Sequence, residues 1–195
     1  MTVKSEIKIE LATKNLRSLA LAVREKVFVR ELGVPKSKEF DDNDDVAAHI
    51  IAYKTQNNRK LPIGTMRIRF FKDFVKFERM SVLRNYRKTT VASDIMEFGF
   101  NYVAEKGYTQ VYGMCKKELL PRWQKCGYQP ISGVKPIEQN DMILIPIIRH
   151  LPENQKSISI NSAPELLIKQ EGHWFDSNPS MAEKLLQLKI AVKNR

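Results

Sequence analysis

Along the first 150 residues the apolar positions change period several times, and each change marks an element. Residues 5–11 (SEIKIEL) alternate apolar and polar, as a half-buried strand does. From Thr13 the period lengthens: Leu16, Leu19, Ala20, Val23 and Val27 recur at three- and four-residue spacing, with Thr13 or Asn15 available as the cap. That helix stops near Gly33-Val34-Pro35. The acidic run from Glu39 to Asp45 reads as a solvated surface loop, with recruitment of a cationic amine as the alternative. Ala47 to Tyr53, Ile63 to Phe71 and Val75 to Leu83 read as three strands, the last two turning near Lys72-Asp73. A second helix carries Val91, Ile95, Phe98, Tyr102 and Val103 on one face and ends at Gly107. A short buried strand (Val111 to Cys115), a short helix (Glu118 to Lys125) and an apolar strand over 142–148 follow, with Pro146 placing that last strand at an edge or bulge.

This order predicts an α/β (α+β) fold: a mixed, mostly antiparallel sheet flanked by helices. Residues 151–195 differ in character. A polar stretch precedes Asn178-Pro179-Ser180, and Met181, Leu185, Leu188 and Val192 make one stripe. The reading is a main domain over 1–150 and a C-terminal extension over 151–195 with an amphipathic helix over 180–193. That stripe would dock onto the main domain or a second subunit, as in a homodimer.

Composition narrows the classes. The chain has 195 residues, 43% hydrophobic and 28% charged, enough for a buried core. No apolar run approaches the roughly 20 residues that span a bilayer, and residues 1–14 lack the apolar block of a signal peptide. Cys115 and Cys126 form neither a CxxC pair nor a disulfide framework, which suggests a cytoplasmic protein and no metal module. The net charge of +11 is unevenly spread: residues 54–88 hold eleven basic side chains against Asp73 and Glu78. Such an excess suits a phosphorylated cofactor, an acidic carrier protein or nucleic acid, although a solvated strand face explains it as well. For nucleic acid, Tyr53, Phe70, Phe71, Phe74 and Phe77 interleave with the bases, but sheet alternation accounts for them more simply.

The chemistry-bearing segment runs from Glu78 to Ser93: a strand, a short basic loop and the start of a helix. A helix N-terminus leaves N–H groups unpaired, and a strand–loop–helix of this kind is a ready anion site. Arg87 and Lys88 would add charge at its rim, and the Thr89 and Thr90 hydroxyls could donate hydrogen bonds. An ordinary threonine-capped connection is the alternative.

Four motifs in order resemble the GNAT superfamily of acyl-CoA N-acyltransferases. Val82…Tyr86-Arg87-Lys88-Thr89-Thr90-Val91-Ala92 is similar to its V-x-x-x-Y-R-x-x-G-x-G/A signature, with Thr90 where the first glycine stands. Trp123-Gln124-Lys125-Cys126-Gly127-Tyr128 resembles its Y-x-K-x-G-F. The run from Arg24 through Val27-Phe28-Val29, Glu31 and Val34-Pro35 to Glu39, Asp41, Asp44 and His49 is similar to a branch opening R-x-x-V-F-V-x-E-x-x-V-P, and Gly64-Thr65-Met66-Arg67 matches its G-x-x-R strand.

The resemblance implies direct acyl transfer, acetyl above all, from acyl-CoA to a small-molecule amine or a protein lysine, without a metal. The pantetheine arm would enter where the strand ending at Val82 parts from that of Val111. Backbone N–H groups of Met80, Ser81 and Val82 would hold the thioester carbonyl, and the diphosphate would sit over Arg87, Lys88, Thr89, Thr90, Val91 and Ala92, with Trp123 on the donor side. Glu78 and His49 are the candidate bases. Period-two alternation puts Glu78 on one strand face with Met80 and Val82. An ion pair with Arg67 or Arg69 is the competing role for Glu78, and a hydrogen bond within the sheet the competing role for His49. Trp123 occupies the place of a tyrosine that protonates the leaving thiolate. Indole has no such proton to give, so the acid would be Tyr128, Cys126 or water. Two alternatives stand beside this reading: a non-catalytic acyl-CoA-binding module on the same scaffold, and an acyl-carrier-protein-dependent N-acyltransferase.

Overall fold

The computed structural model describes residues 6–139 and 142–176. The stripe over 181–192 therefore lies outside the described residues. Among the described residues, eight strands form one sheet in the order β1-β2-β3-β4-β5-β8-β6, with β7 also on β8. They are β1 (Ile7–Leu11), β2 (Ala48–Gln56), β3 (Arg59–Phe70), β4 (Val75–Val82), β5 (Gln110–Lys116), β6 (Gln129–Pro130), β7 (Ile137–Gln139) and β8 (Met142–His150). Every pairing is antiparallel except β4–β5, which is parallel. The mixed, mostly antiparallel sheet is as the sequence predicts.

Helix α1 (Lys14–Arg24) runs without a break into a π-helical turn, Glu25–Glu31. Its buried side, Leu16, Ala20, Val23 and Val27, covers Ile51 and Tyr53 on one sheet face. Helix α4 (Val91–Glu105) covers the other face, where Ile95, Phe100 and Val103 meet Ile50, Met66, Ile68 and Phe77. Period-two alternation within β2 thus sends consecutive isoleucines to opposite cores. Helix α4 ends as expected at Gly107, whose φ of +86° is open only to a residue without a Cβ clash. Gly64 marks a close approach: a Cβ there would lie 2.9 Å from Ile95 Cδ1 and 3.2 Å from the Ser81 carbonyl oxygen.

Pro146 is not at a sheet edge, since β8 has β5 on one side and β6 and β7 on the other. Its carbonyl accepts from Ile131 N, so its backbone polar groups face the β6/β7 side. There it stands between the two registers, Ile137↔Leu144 and Pro130↔Ile147, where no ladder bond needs an N–H.

The acidic run is not a solvated loop. It folds into two short turns, α2 (Lys36–Glu39) and α3 (Asn43–Val46), with Glu39 1% and Asp44 6% exposed. Their partners are Arg24 on α1 and Arg67 on β3, both fully buried.

Past β8, residues 151–176 pack back on α4 around a last short helix, α6 (Pro164–Leu167). Trp174 is buried and stacks on Tyr102, and the Tyr102 hydroxyl donates to Glu171 at 2.5 Å. Lys106 sits over the Trp174 ring and pairs with Glu171. Among the described residues no helix is long and apolar enough to cross a membrane.

Candidate active site

The site is built where β4 and β5 part. Only Val75↔Val111 and Lys76↔Tyr112 are paired between them. Beyond those positions, among the described residues, no ladder covers the β5-facing edge of β4. Leu83 N donates to Ile63 O, so by alternation the Val82 amide faces the open edge instead. The Val82 amide is thus left in a notch between two strands, whereas the same alternation turns the Ser81 amide toward β3, which corrects the expectation that Ser81 N–H would line the notch.

A bulge sits in the wall of that notch. The β3–β4 register shifts from Thr65↔Ser81 to Arg67↔Glu78, so Arg79 and Met80 together oppose a single residue. Arg79 has φ +55°, the left-handed conformation that non-glycine residues rarely take. The extra residue reverses the alternation. Met80 and Val82 pack into the α4-side core, whereas Glu78 lies across from Arg67 on the α1 side. The expectation that Glu78 shares a face with Met80 and Val82 is therefore corrected.

On that α1 face the charges interlock. Arg24 Nε donates to Glu39 Oε1 at 2.7 Å, and Arg24 NH1 and NH2 both reach the Asp44 carboxylate. Arg67 NH1 donates to Asp41 at 2.6 Å and to Asp44 at 2.7 Å, and its Nε donates to Glu78 at 2.8 Å. Arg79 pairs with Glu39 and Lys76 with Glu78. Burial alone would raise the Asp44 carboxyl, but hydrogen bonds and charges from Arg24 and Arg67 outweigh it and hold its pKa at about 2. Glu78 follows the same logic: burial raises it, and Lys76 and Arg67 bring it below its ordinary value. It is ionised and doubly paired, the competing role foreseen for it.

His49 lies opposite Arg67 in the sheet and is 3% exposed. Desolvation lowers its pKa, which keeps the ring neutral at pH 7. Its Nε2 stands 3.1 Å from the Asp44 carbonyl oxygen, which can only accept, so Nε2 carries the proton. Among the described residues, the buried Nδ1 lone pair has no hydrogen-bond partner.

The basic loop opens α4 as expected. Thr90 caps the helix without a side-chain bond to its amides, and the Thr89 hydroxyl oxygen accepts from Val91 N at 3.4 Å, so the first-turn N–H groups left without an intrahelical acceptor are those after Val91. The threonine hydroxyl protons are already committed, Thr89 to the Tyr86 carbonyl at 2.7 Å and Thr90 to Asp94 at 2.8 Å. Lys88 is exposed. Arg87 folds back, its Nε on the Val82 carbonyl at 2.8 Å and its NH1 and NH2 on Glu31 at 2.9 and 2.5 Å. Glu31 stands in the R-x-x-V-F-V-x-E run, and nothing in that run marks its place against Arg87, which comes from a distant loop.

On the β5 side, Tyr128 is fully buried between Phe100 and the edge of Trp123 in α5 (Leu120–Lys125). Its ring lies against Gly113, the first β5 residue past the last β4 pairing. Burial pushes its hydroxyl pKa up, and among the described residues that hydroxyl has no hydrogen-bond partner. The buried Ser81 hydroxyl is likewise unpartnered. Trp123 packs on the core, and Cys126 is half-buried with its thiol pKa raised by desolvation. Among the described residues, no group of three or more His, Cys, Asp or Glu side chains could hold a metal ion.

A mixed sheet whose one parallel pair splays beside a basic strand–loop–helix defines an acyl-CoA N-acyltransferase scaffold. No family model matches the chain. It is similar, at 31% identity over 113 residues, to the uncharacterized N-acetyltransferase YjcF of Bacillus subtilis (strain 168), covering 58% of this chain and 78% of that protein. Its fold matches an acyl-CoA N-acyltransferase from Pseudomonas aeruginosa with a TM-score of 0.62 at 18% identity, over 75% of this chain and 99% of that one. It also matches an aminoglycoside 6′-N-acetyltransferase complexed with coenzyme A, with a TM-score of 0.59 at 10% identity, over 76% and 99%. The chain belongs to the GNAT family of acetyltransferases.

Proposed function

We propose that this chain transfers an acyl group, acetyl first of all, from acyl-CoA directly to a primary amine of a small molecule or a protein lysine. The observation that carries the reading is the unpaired β4 edge at residues 80–82, set beside the basic loop that opens α4. The residues fit such a donor. Backbone donors suit the thioester carbonyl, and the α4 N-terminus with Arg84, Arg87 and Lys88 suits a diphosphate.

In the transfer, the amine nitrogen forms a bond to the acyl carbon and the carbon–sulfur bond breaks. The ammonium proton must first leave, and the departing sulfur must gain one. Neutral His49, with its free Nδ1 lone pair, and ionised Glu78 are the bases this chain offers on the α1 face. Tyr128 keeps its proton at neutral pH and its ring lies against Gly113 on β5, which supports it as the proton donor to the thiolate.

The charge pattern favours CoA over a carrier protein or nucleic acid as the anionic partner. Of the eleven bases in 54–88, Lys60, Arg67, Lys76, Arg79, Arg84 and Arg87 are paired with carboxylates. Phe77 is buried and Phe70 packs on Tyr102 and Tyr108, so neither offers a base-stacking face. The test is release of CoA thiol from acetyl-CoA across a panel of primary amines and lysine peptides. Release with at least one amine is expected. Binding of acetyl-CoA without release across the panel would instead support the non-catalytic module that Trp123 suggests.

A further inference from the structure

Two arginines of the basic loop share one carboxylate outside the loop. Arg84 Nε lies 3.1 Å from Glu31 Oε1, Arg87 NH1 lies 2.9 Å from the same oxygen, and Arg87 NH2 lies 2.5 Å from Oε2. With Nε on the Val82 carbonyl, every nitrogen of Arg87 already has an acceptor. Glu31 is the last residue of the π-helical turn. That turn and the loop together wall a cleft of about 400 Å³, lined by Lys26, Arg30, Glu31, Leu83, Arg84 and Tyr86 among others.

A guanidinium fork matches a carboxylate and a phosphate by the same geometry. A diphosphate arriving on this loop therefore competes with Glu31 for the same N–H groups. Resting on the donor site proposed above, we infer that Glu31 is a displaceable counter-ion: it holds Arg84 and Arg87 in the free protein and is exchanged for the diphosphate of the acyl donor. The exchange has a consequence at a distance. Glu31 ties the loop to the π-helical turn, so its release loosens the wall of the cleft only once the donor is bound. Donor binding then precedes any change in that cleft, and Glu31 acts as a positioning residue rather than a catalytic one. The π-helical turn suits this role, because its wide ring is a local departure from the α-helical ladder.

The test uses the full chain and coenzyme A itself. Glu31→Gln keeps shape and removes charge, and Glu31→Asp keeps the charge. The ion pairs are exposed and contribute little to folding, so both variants are expected to keep the wild-type melting temperature within a few degrees. By calorimetric titration at low salt, Glu31→Gln is expected to bind coenzyme A roughly three- to tenfold tighter than wild type, the loss of one or two exposed ion-pair competitors. Glu31→Asp is expected to stay near wild type. In hydrogen exchange, coenzyme A should speed amide exchange over 25–34 in wild type and leave it unchanged in Glu31→Gln. Equal or weaker binding by Glu31→Gln, or slowed exchange over 25–34, overturns the counter-ion. Failure of wild type and both variants alike to bind coenzyme A would overturn the donor site itself, and the counter-ion with it.

Discussion

Asp44 accepts hydrogen bonds from two buried arginines, Arg24 and Arg67. In Asp44→Asn the shape is kept, but an amide has one acceptor oxygen where the carboxylate has two, and its NH2 group faces guanidinium donors. With Oδ1 kept as the amide oxygen, the bonds from Arg24 NH2 and the Asp41 amide to the other oxygen are lost, and those from Arg24 NH1 and Arg67 NH1 are left with an uncharged acceptor. Breaking a buried pair costs about 3–5 kcal/mol, because a charge is left without compensation. Here Arg24 keeps Glu39, and Arg67 keeps Asp41 and Glu78, so the lower end, about 3 kcal/mol, is expected. For a chain of this size that corresponds to a drop in Tm of about 6–12 °C by scanning calorimetry at pH 7. The pH dependence has a definite sign. Asp44 has its pKa lowered from 3.8 to about 2, so its contribution is complete above its unfolded value and is lost as pH falls through about 2. The gap between wild type and Asp44→Asn should therefore stay constant from neutral pH down to about 4 and then close. A gap below about 2 °C at pH 7, or one that closes near neutral pH, would refute the network as a stabilising element.

Other residues separate packing from chemistry. Tyr128→Phe removes a buried hydroxyl that has no partner among the described residues, so stability should be unchanged or slightly raised, while kcat falls at least tenfold if this hydroxyl protonates the thiolate. Equal kcat in the two proteins would clear Tyr128 of that role. Glu78→Gln should reduce CoA release about a hundredfold if Glu78 takes the proton; a rate within twofold of wild type would leave His49 as the candidate base. Trp174→Ala should cost about 3 kcal/mol in urea unfolding by emptying the contact with Tyr102, and a cost below about 1 kcal/mol would show that residues 151–176 are not anchored there.

Much of the scaffold was legible because period and punctuation agree. Helix α4 shows both a one-sided apolar face and Gly107 at its end, and the long strands alternate or run apolar. What was not legible depends on contacts far apart in the chain. The acidic run from Glu39 to Asp45 looks like a solvated loop, since its partners, Arg24 and Arg67, stand on separate elements. The bulge at Arg79 gives no sign, because its φ is forced on a residue that rarely adopts it. The strand β7 spans three residues, too few for any period to register. Of the excess charge, the sequence shows that it exists and where, but only the fold shows that six of those bases are matched by carboxylates, among them Glu39, Asp41 and Asp44 of the acidic run and Glu31 of the π-helical turn.

The account rests on the donor lying over the β4–β5 notch with its diphosphate on the loop at Arg87. Calorimetric titration of acetyl-CoA into wild type and Arg87→Glu, whose charge reversal repels a diphosphate, tests this most directly. Saturable binding to wild type that weakens at least about tenfold in the variant is the expected result. Equal affinity for the two proteins would place the donor elsewhere and contradict the account.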